Sequence, residues 1–199
     1  LLCEKAQHIM VCATSDATRF AELYQIDASK CLEVPNGVDT RSVRFTERAQ
    51  SRGARHRLGL GERRTAVFVG SWHQPNIEAA EALKGFAAQH RNVHFLVVGS
   101  VCSHPVLSNR PTNLHALGVL GDKELALLLQ AVDVALNPVR SGSGTNLKML
   151  HYAAAGVPIL TTPFGNRGLA FAHGTHVWCA ELSGFPAALS AILTAPEDC

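Results

Sequence analysis

Apolar residues in this chain come in short unbroken runs rather than in strict alternation. TAVFVG (65–70), VHFLVVG (93–99), LHALGVL (114–120), DVALNPV (133–139) and VPILTTP (157–163) are the clearest, and HVWCA (176–180) is shorter. Runs of this length, closed by Gly or Pro, predict strands buried on both faces. Between them the apolar positions fall three or four apart. PNIEAAEALKGFAAQ (75–89) puts Ile77, Ala80, Leu83 and Ala87 on one helical face. DKELALLLQAV (122–132) predicts a helix capped by Asp122, and GTNLKMLHYAAAG (144–156) and GFPAALSAILTA (184–195) predict two more. Strand alternates with helix, so the expected fold class is α/β, a doubly wound parallel sheet over 65–199.

The first 64 residues are less regular. HIMVCAT (8–14) predicts a strand, and SDATRFAELYQI (15–26) a helix with Ser15 or Asp16 as N-cap. KCLEVPNGVD (30–39) predicts a strand ending in a Pro-Asn-Gly turn. Residues 40–64 read as an irregular basic linker or domain boundary. The chain begins with Leu1 rather than Met and ends on Cys199 after a helix-like stretch, so it reads as a piece of a longer protein.

Composition narrows the picture. With 47% hydrophobic residues and a net charge of +2, the chain is that of an ordinary globular protein, without the basic footprint that nucleic acid requires. Eight arginines gather at 41–64 (Arg41, Arg44, Arg48, Arg52, Arg55, Arg57, Arg63, Arg64). They read first as a solvated face, and otherwise as a peripheral contact to anionic lipid headgroups. No apolar run is long enough to span a membrane. The six cysteines are scattered, with no C-x-x-C. That pattern fits a reducing, cytoplasmic setting and no zinc site. His173 and His176 read as loop residues.

In a doubly wound sheet ligands sit beyond the carboxyl ends of the strands. The loops to inspect are therefore 70–73, 99–100, 118–120, 138–144 and 161–165. One of them, Arg140-Ser141-Gly142-Ser143-Gly144, leads into a helix carrying Lys148. Unpaired N–H groups at a helix start, with glycines that permit close approach, make an anion site. Thr145, Lys148 and His151 fall three apart on one flank, and Leu147, Leu150 and Ala154 on the flank expected to face the sheet. An ordinary helix capped by Ser143 accounts for the loop equally well at this point. It is neither a Walker A loop nor G-x-G-x-x-G, because Leu147 stands where the third Gly would be.

VPNGVD (34–39), AVFVGSWHQPNIEAAEAL (66–83), FLVVGS (95–100), LHALGVLGDKELALLLQAVDVALNPV (114–139) and GSGTNLKMLHYAAAGVPILTTPFGNRGL (142–169) occur in this order. Together they resemble the C-terminal half of a GT-B glycosyltransferase of family 4, over nearly the whole chain. The resemblance implies that residues 1–35 end an N-terminal acceptor domain, 36–64 form a hinge and linker, and 65–199 bind a nucleotide-diphosphate sugar. It implies a UDP-, GDP- or ADP-sugar donor, a carbohydrate or lipid-linked acceptor, retention of configuration, and no metal or cofactor. Gly70, Ser71, Ser141, Gly142, Ser143, Gly144, Thr145, Asn146 and Lys148 would hold the diphosphate and donor. His151, Gly118, Val119 and Leu120 would hold the ribose and base.

The sequence also departs from that pattern. Two glutamates, seven residues apart in many members, are Ser143 and His151 here. A subgroup with Gly-Ser-Gly-Thr in the loop lacks the first Glu but usually keeps the second. An Arg and a Lys that often follow the first strand are replaced by Ser71-Trp72-His73-Gln74. The expected function is a glycosyltransferase fragment acting in bacterial surface polysaccharide or lipopolysaccharide assembly. The alternatives are a non-catalytic nucleotide-sugar- or partner-binding module and a sugar-nucleotide epimerase. No general base is named, since it would lie on the acceptor domain.

Overall fold

The computed structural model describes residues 2–195. A short helix α1 (Leu2–Lys5), strand β1 (Ile9–Val11), helix α2 (Thr14–Tyr24) and strand β2 (Cys31–Glu33) come first. β1 and β2 pair in parallel as a sheet of their own. The helix after β1 starts a residue before Ser15, and its N-cap is Ala13, which supplies no side-chain cap. The expected Ser15 or Asp16 cap is thus corrected: the strand ends early at Val11, and both residues lie inside the first turn.

The stretch expected to be irregular holds a helix, α3 (Arg48–Leu58), closed by Gly59 in the left-handed conformation. It is Arg-rich and carries Gly53, so it lacks an apolar stripe that periodicity can detect. Tertiary contacts hold it instead. Ala54 is buried, and Arg55 pairs with Asp133 at 3.0 Å while donating to the carbonyls of Ala131, Gly61 and Arg63. Arg64 reaches the other Asp133 oxygen at 2.9 Å. Arg55 and Arg64 therefore leave the solvated basic face predicted for this segment. Arg41, Arg44, Arg52, Arg57 and Arg63 remain exposed on it. The side chain of Arg48, like Cys199, lies outside the described residues.

From residue 65 onward strand and helix alternate: β3 (Thr65–Val69), α4 (Gln74–Gln89), β4 (His94–Val98), β5 (Leu114–Ala116), α5 (Asp122–Ala131), β6 (Val134–Asn137), α6 (Leu147–Ala154), β7 (Ile159–Thr161), β8 (Trp178–Cys179) and α7 (Phe185–Thr194). The six strands form one sheet in the order β5-β4-β3-β6-β7-β8, and every pairing is parallel. The doubly wound expectation holds.

Both faces are covered, which is why the strands are apolar throughout. Ala66, Phe68, Phe95, Val97, Val134 and Leu136 meet α4 and α7, where Phe86 and Phe185 stack at 5.3 Å. The alternate positions Val67, Leu96, Val98, Ala135 and Ile159 meet α5 and α6. Two element ends differ from expectation. α5 is capped by Gly121, whose N–H donates to Glu124 Oε2 at 2.9 Å, so Asp122 is its first residue and not its cap. β5 ends at Ala116 because Gly118 turns the chain with φ +77°.

The chain goes outward through β4 and β5, then returns to place β6 beside β3. The switch point lies between β3 and β6. The carboxyl ends of these two strands open into the loops at 70–73 and 138–146.

Candidate functional site

Loop 138–146 is held by its neighbours rather than by itself. Asn137 Nδ2, at the end of β6, donates to Thr161 Oγ1 at 3.2 Å and to the Gly165 carbonyl at 3.3 Å. Asn146 Nδ2 reaches the same carbonyl at 2.9 Å. Gly165 has no room for a side chain: a Cβ there would stand 2.5 Å from Thr161 Oγ1 and 2.6 Å from Asn137 Nδ2. Asn36, before α3, donates to Thr145 Oγ1, and Ser141 Oγ donates to Glu78 Oε2 at 2.9 Å. None of the backbone N–H groups of 141–146 has an acceptor among the described residues. That leaves a row of donors at the start of α6, whose dipole adds partial positive charge.

Gly142 and Gly144 have φ of +116° and +64°, so the loop cannot continue α6 backwards. The helix therefore begins at Leu147 with Asn146 as N-cap, and Ser143 is not the cap expected for it. The face turned to the core also differs from expectation. Met149, Tyr152 and Ala155 face the core, while Leu147, expected to face the sheet, is half exposed. Tyr152 is fully buried, and its hydroxyl accepts the Val69 N–H at 2.9 Å, fixing α6 against the end of β3. Burial raises the Tyr152 pKa.

That seating decides where Lys148 goes. Its Nζ lies 4.3 Å over the centre of the Phe68 ring and donates to Asn76 Oδ1 at 2.7 Å. Asn76 sits in the first turn of α4 and is itself anchored through Nδ2 to Ser71. No carboxylate pairs with Lys148 among the described residues. Burial without an opposite charge pushes its pKa down from the usual lysine value to about 7. A half-buried cation, bonded only to a neutral amide among the described residues, is suited to an anion that arrives from outside.

These groups line one cleft of about 300 Å³. Of the residues read from the sequence as diphosphate-binding, it brings together Gly70, Ser71, Ser141, Gly142, Ser143, Thr145, Asn146 and Lys148. Gly144 lines a second cleft, about 530 Å³, between the same loop and α2. Gly70 contributes shape, since its own N–H donates to the Val98 carbonyl at 2.8 Å. Asn76 and Arg167 also line the first cleft and were not picked out from the sequence.

The residues read as ribose- and base-binding stand apart from this lining. His151 is exposed, a turn further along α6. Gly118, Val119 and Leu120 form the neighbouring strand-end loop, where Val119 is exposed. That loop is laced to the cleft wall: Gly99 N–H donates to the Gly118 carbonyl, and Val101 N–H to the Gly70 carbonyl. His173 accepts the backbone N–H of Cys179 in β8, and His176 that of Ala172 in its own loop. No group of three or more His, Cys, Asp or Glu among the described residues is placed to share a metal ion.

Comparison with known proteins gives the chain a family and a fold. The sequence model of the family described as glycosyl transferases group 1 matches residues 63–195. The chain belongs to that glycosyltransferase family. No curated protein sequence matches it. Among solved structures, Anabaena HepE, in complex with UDP and glucose, superposes with a TM-score of 0.76 at 13% identity. The match covers 94% of this chain and 54% of HepE. Sucrose-phosphate synthase from Thermosynechococcus elongatus gives 0.77 at 17% identity, over 94% of this chain and 49% of that one. The C-terminal domain of a group 1 glycosyl transferase from Francisella tularensis gives 0.63 at 13% identity, over 80% and 89%. At these identities the likeness is one of fold. This glycosyltransferase chain spans about half the length of HepE and of the synthase. Among its described residues no helix is long and apolar enough to cross a membrane.

Proposed function

We propose that the chain is the donor-binding part of a family 4 glycosyltransferase that takes its sugar from a nucleotide diphosphate. Residues 65–199 are the C-terminal domain of that enzyme. Residues 1–35 end the acceptor domain, and 36–64 connect the two. The observation that carries the reading is Lys148: a half-buried cation with no carboxylate partner among the described residues, beside a loop of unpaired N–H groups, at the switch point of a doubly wound sheet.

The chemistry follows from those groups. When the bond from the sugar to the diphosphate breaks, its electron pair stays on the diphosphate, which gains charge. Fixed donors aimed at that charge lower the barrier without a metal ion. Lys148 supplies the full charge and loop 141–146 the dipoles. HepE, whose fold the chain shares, is held with UDP and glucose, so UDP is the first nucleotide to test. Retention of configuration, a carbohydrate or lipid-linked acceptor, and a role in bacterial surface polysaccharide assembly complete the reading. The exposed arginines of 41–63 give a cytoplasmic enzyme a means of touching an anionic membrane face.

Ser143 and His151, in place of two family glutamates, favour a second reading: a module that holds the nucleotide sugar without transferring it. Both readings are tested by titrating UDP, GDP and ADP, then matching nucleotide sugars, into the chain and its Lys148→Ala form by calorimetry. The proposal expects saturable binding of one nucleotide, weakened by the substitution. Absence of heat from a folded sample at millimolar ligand would contradict it. Turnover by the longer protein separates transferase from binding module.

A further inference from the structure

Arg167 lies where the two clefts meet, and lines both. Its loop approaches three other segments closely. Gly168, beside it, has φ +67°, and a Cβ there would stand 2.7 Å from Thr145 Cγ2 and 2.8 Å from Ala13 Cβ. Only glycine fits that position at no cost. With Gly165 wedged against Thr161 and Asn137, this glycine fixes where Arg167 leaves the backbone.

The side chain is then held at one edge. Nη1 donates to the Phe164 carbonyl at 2.9 Å, and the guanidinium lies 3.9 Å over the Phe164 ring. Nε and Nη2 have no acceptor among the described residues. Nη2 faces the loop: a Cβ on Gly142 would be 3.9 Å from it. The charged groups that influence Arg167 are Asp16 and Arg19 of α2, which oppose each other, and no carboxylate forms an ion pair with it among the described residues. Partial burial disfavours its charge. A planar cation, stacked, half-buried, with Nε and Nη2 free of acceptors among the described residues and Nη2 toward a loop of unpaired N–H groups, is prepared for a phosphate.

We infer that Arg167 is the second cation of the donor site and binds the anionic group of the donor at the junction of the two clefts. This rests on the diphosphate reading above. Lys148 meets that group from the floor formed by Phe68 and Asn76, and Arg167 from the loop after β7. Arg167 also stands beside the cleft lined by Met10, Phe20 and Leu23, so it marks the end of the diphosphate that faces α2.

Inorganic pyrophosphate is the probe, because it asks about the anion without a base. Its affinity would be measured by calorimetry for the 199-residue chain and for Lys148→Ala, Arg167→Gln and Arg167→Lys, with near-UV circular dichroism as the check on fold. Losing a charge-assisted bond to phosphate corresponds to a drop of roughly tenfold or more. The inference expects that drop for Arg167→Gln with the fold intact, and partial recovery for Arg167→Lys. Unchanged affinity in Arg167→Gln alongside a loss in Lys148→Ala would overturn the role of Arg167 and leave the diphosphate reading standing. Equal losses in the Gln and Lys variants, each with altered dichroism, would make Arg167 a structural clamp and overturn the inference too. Failure of the unmodified chain to bind either pyrophosphate or nucleotide would bring down both.

Discussion

Lys148 Nζ donates to Asn76 Oδ1 at 2.7 Å, which ties the first turn of α6 to the first turn of α4 across the switch point of the sheet. The amide orients the ammonium without neutralising it. Replacing Asn76 by Asp would put a carboxylate on the same atom position. An ion pair would then form inside the cleft, and the bound anion would face a competitor. Asn76→Asp is expected to weaken pyrophosphate binding by about tenfold or more, as loss of a desolvated charge contact does, and to raise the melting temperature. Calorimetry and thermal unfolding check the two halves.

Burial of a charged lysine opposes folding. With a folded pKa near 7 against the usual 10.5, the unfolded state holds the extra proton between those values. Stability therefore rises with pH across that window, and the penalty is fully present below pH 7. Lys148→Met removes it. The variant is expected to exceed the parent in stability at pH 7 by on the order of 1 kcal/mol or more, with the gap narrowing toward pH 10. Urea unfolding at both pH values measures this, and the same variant should lose anion binding. A site kept unstable for its ligand has this signature.

The same group sets a pH dependence for binding. A nucleotide sugar carries a diphosphate that does not titrate near neutrality, so a loss of affinity above pH 7 reports on the protein, where Lys148 gives up its proton. Affinity is expected to fall as the pH rises above 7 by up to about tenfold per unit, until the pKa of the bound form is reached. Titrations at pH 8 in buffers of different ionisation enthalpy should register proton uptake on binding.

Much of this fold was legible because its strands are buried on both faces. Continuous apolar runs such as 65–70 and 93–99 have no other reading once helices separate them. What stayed hidden depended on contacts distant in sequence. α3 carries arginines where a stripe would be, and Arg55 is recognisable as structural only beside Asp133. α6 starts at Leu147 because Gly142 and Gly144 take positive φ, and its core face is set by packing on the sheet, at Met149 and Tyr152. The cleft loops were found from the strand ends. Asn76 and Arg167 were not, since 72 positions separate Asn76 from Lys148 and no local pattern marks either.

Gly168 offers a test of the loop geometry alone. Ala at this position would meet Thr145 and Ala13 at under 3 Å while forced into a left-handed conformation. Gly168→Ala is expected to destabilise the chain by about 1–3 kcal/mol. Gly174, also at positive φ but with nothing within 4 Å of an added Cβ, should tolerate Ala with the smaller loss due to backbone strain alone. Parallel denaturant titrations of the two variants make the comparison.

The central claim is that the loop before α6 holds a diphosphate. Amide NMR of the 15N-labelled chain tests it most directly, by following backbone signals while UDP, GDP or ADP is added. The account predicts that one nucleotide moves the amides of 141–146 most, with smaller shifts at 118–120, and that Lys148→Ala suppresses both. Shifts confined to another surface, or none in a well-dispersed spectrum at millimolar nucleotide, would contradict it.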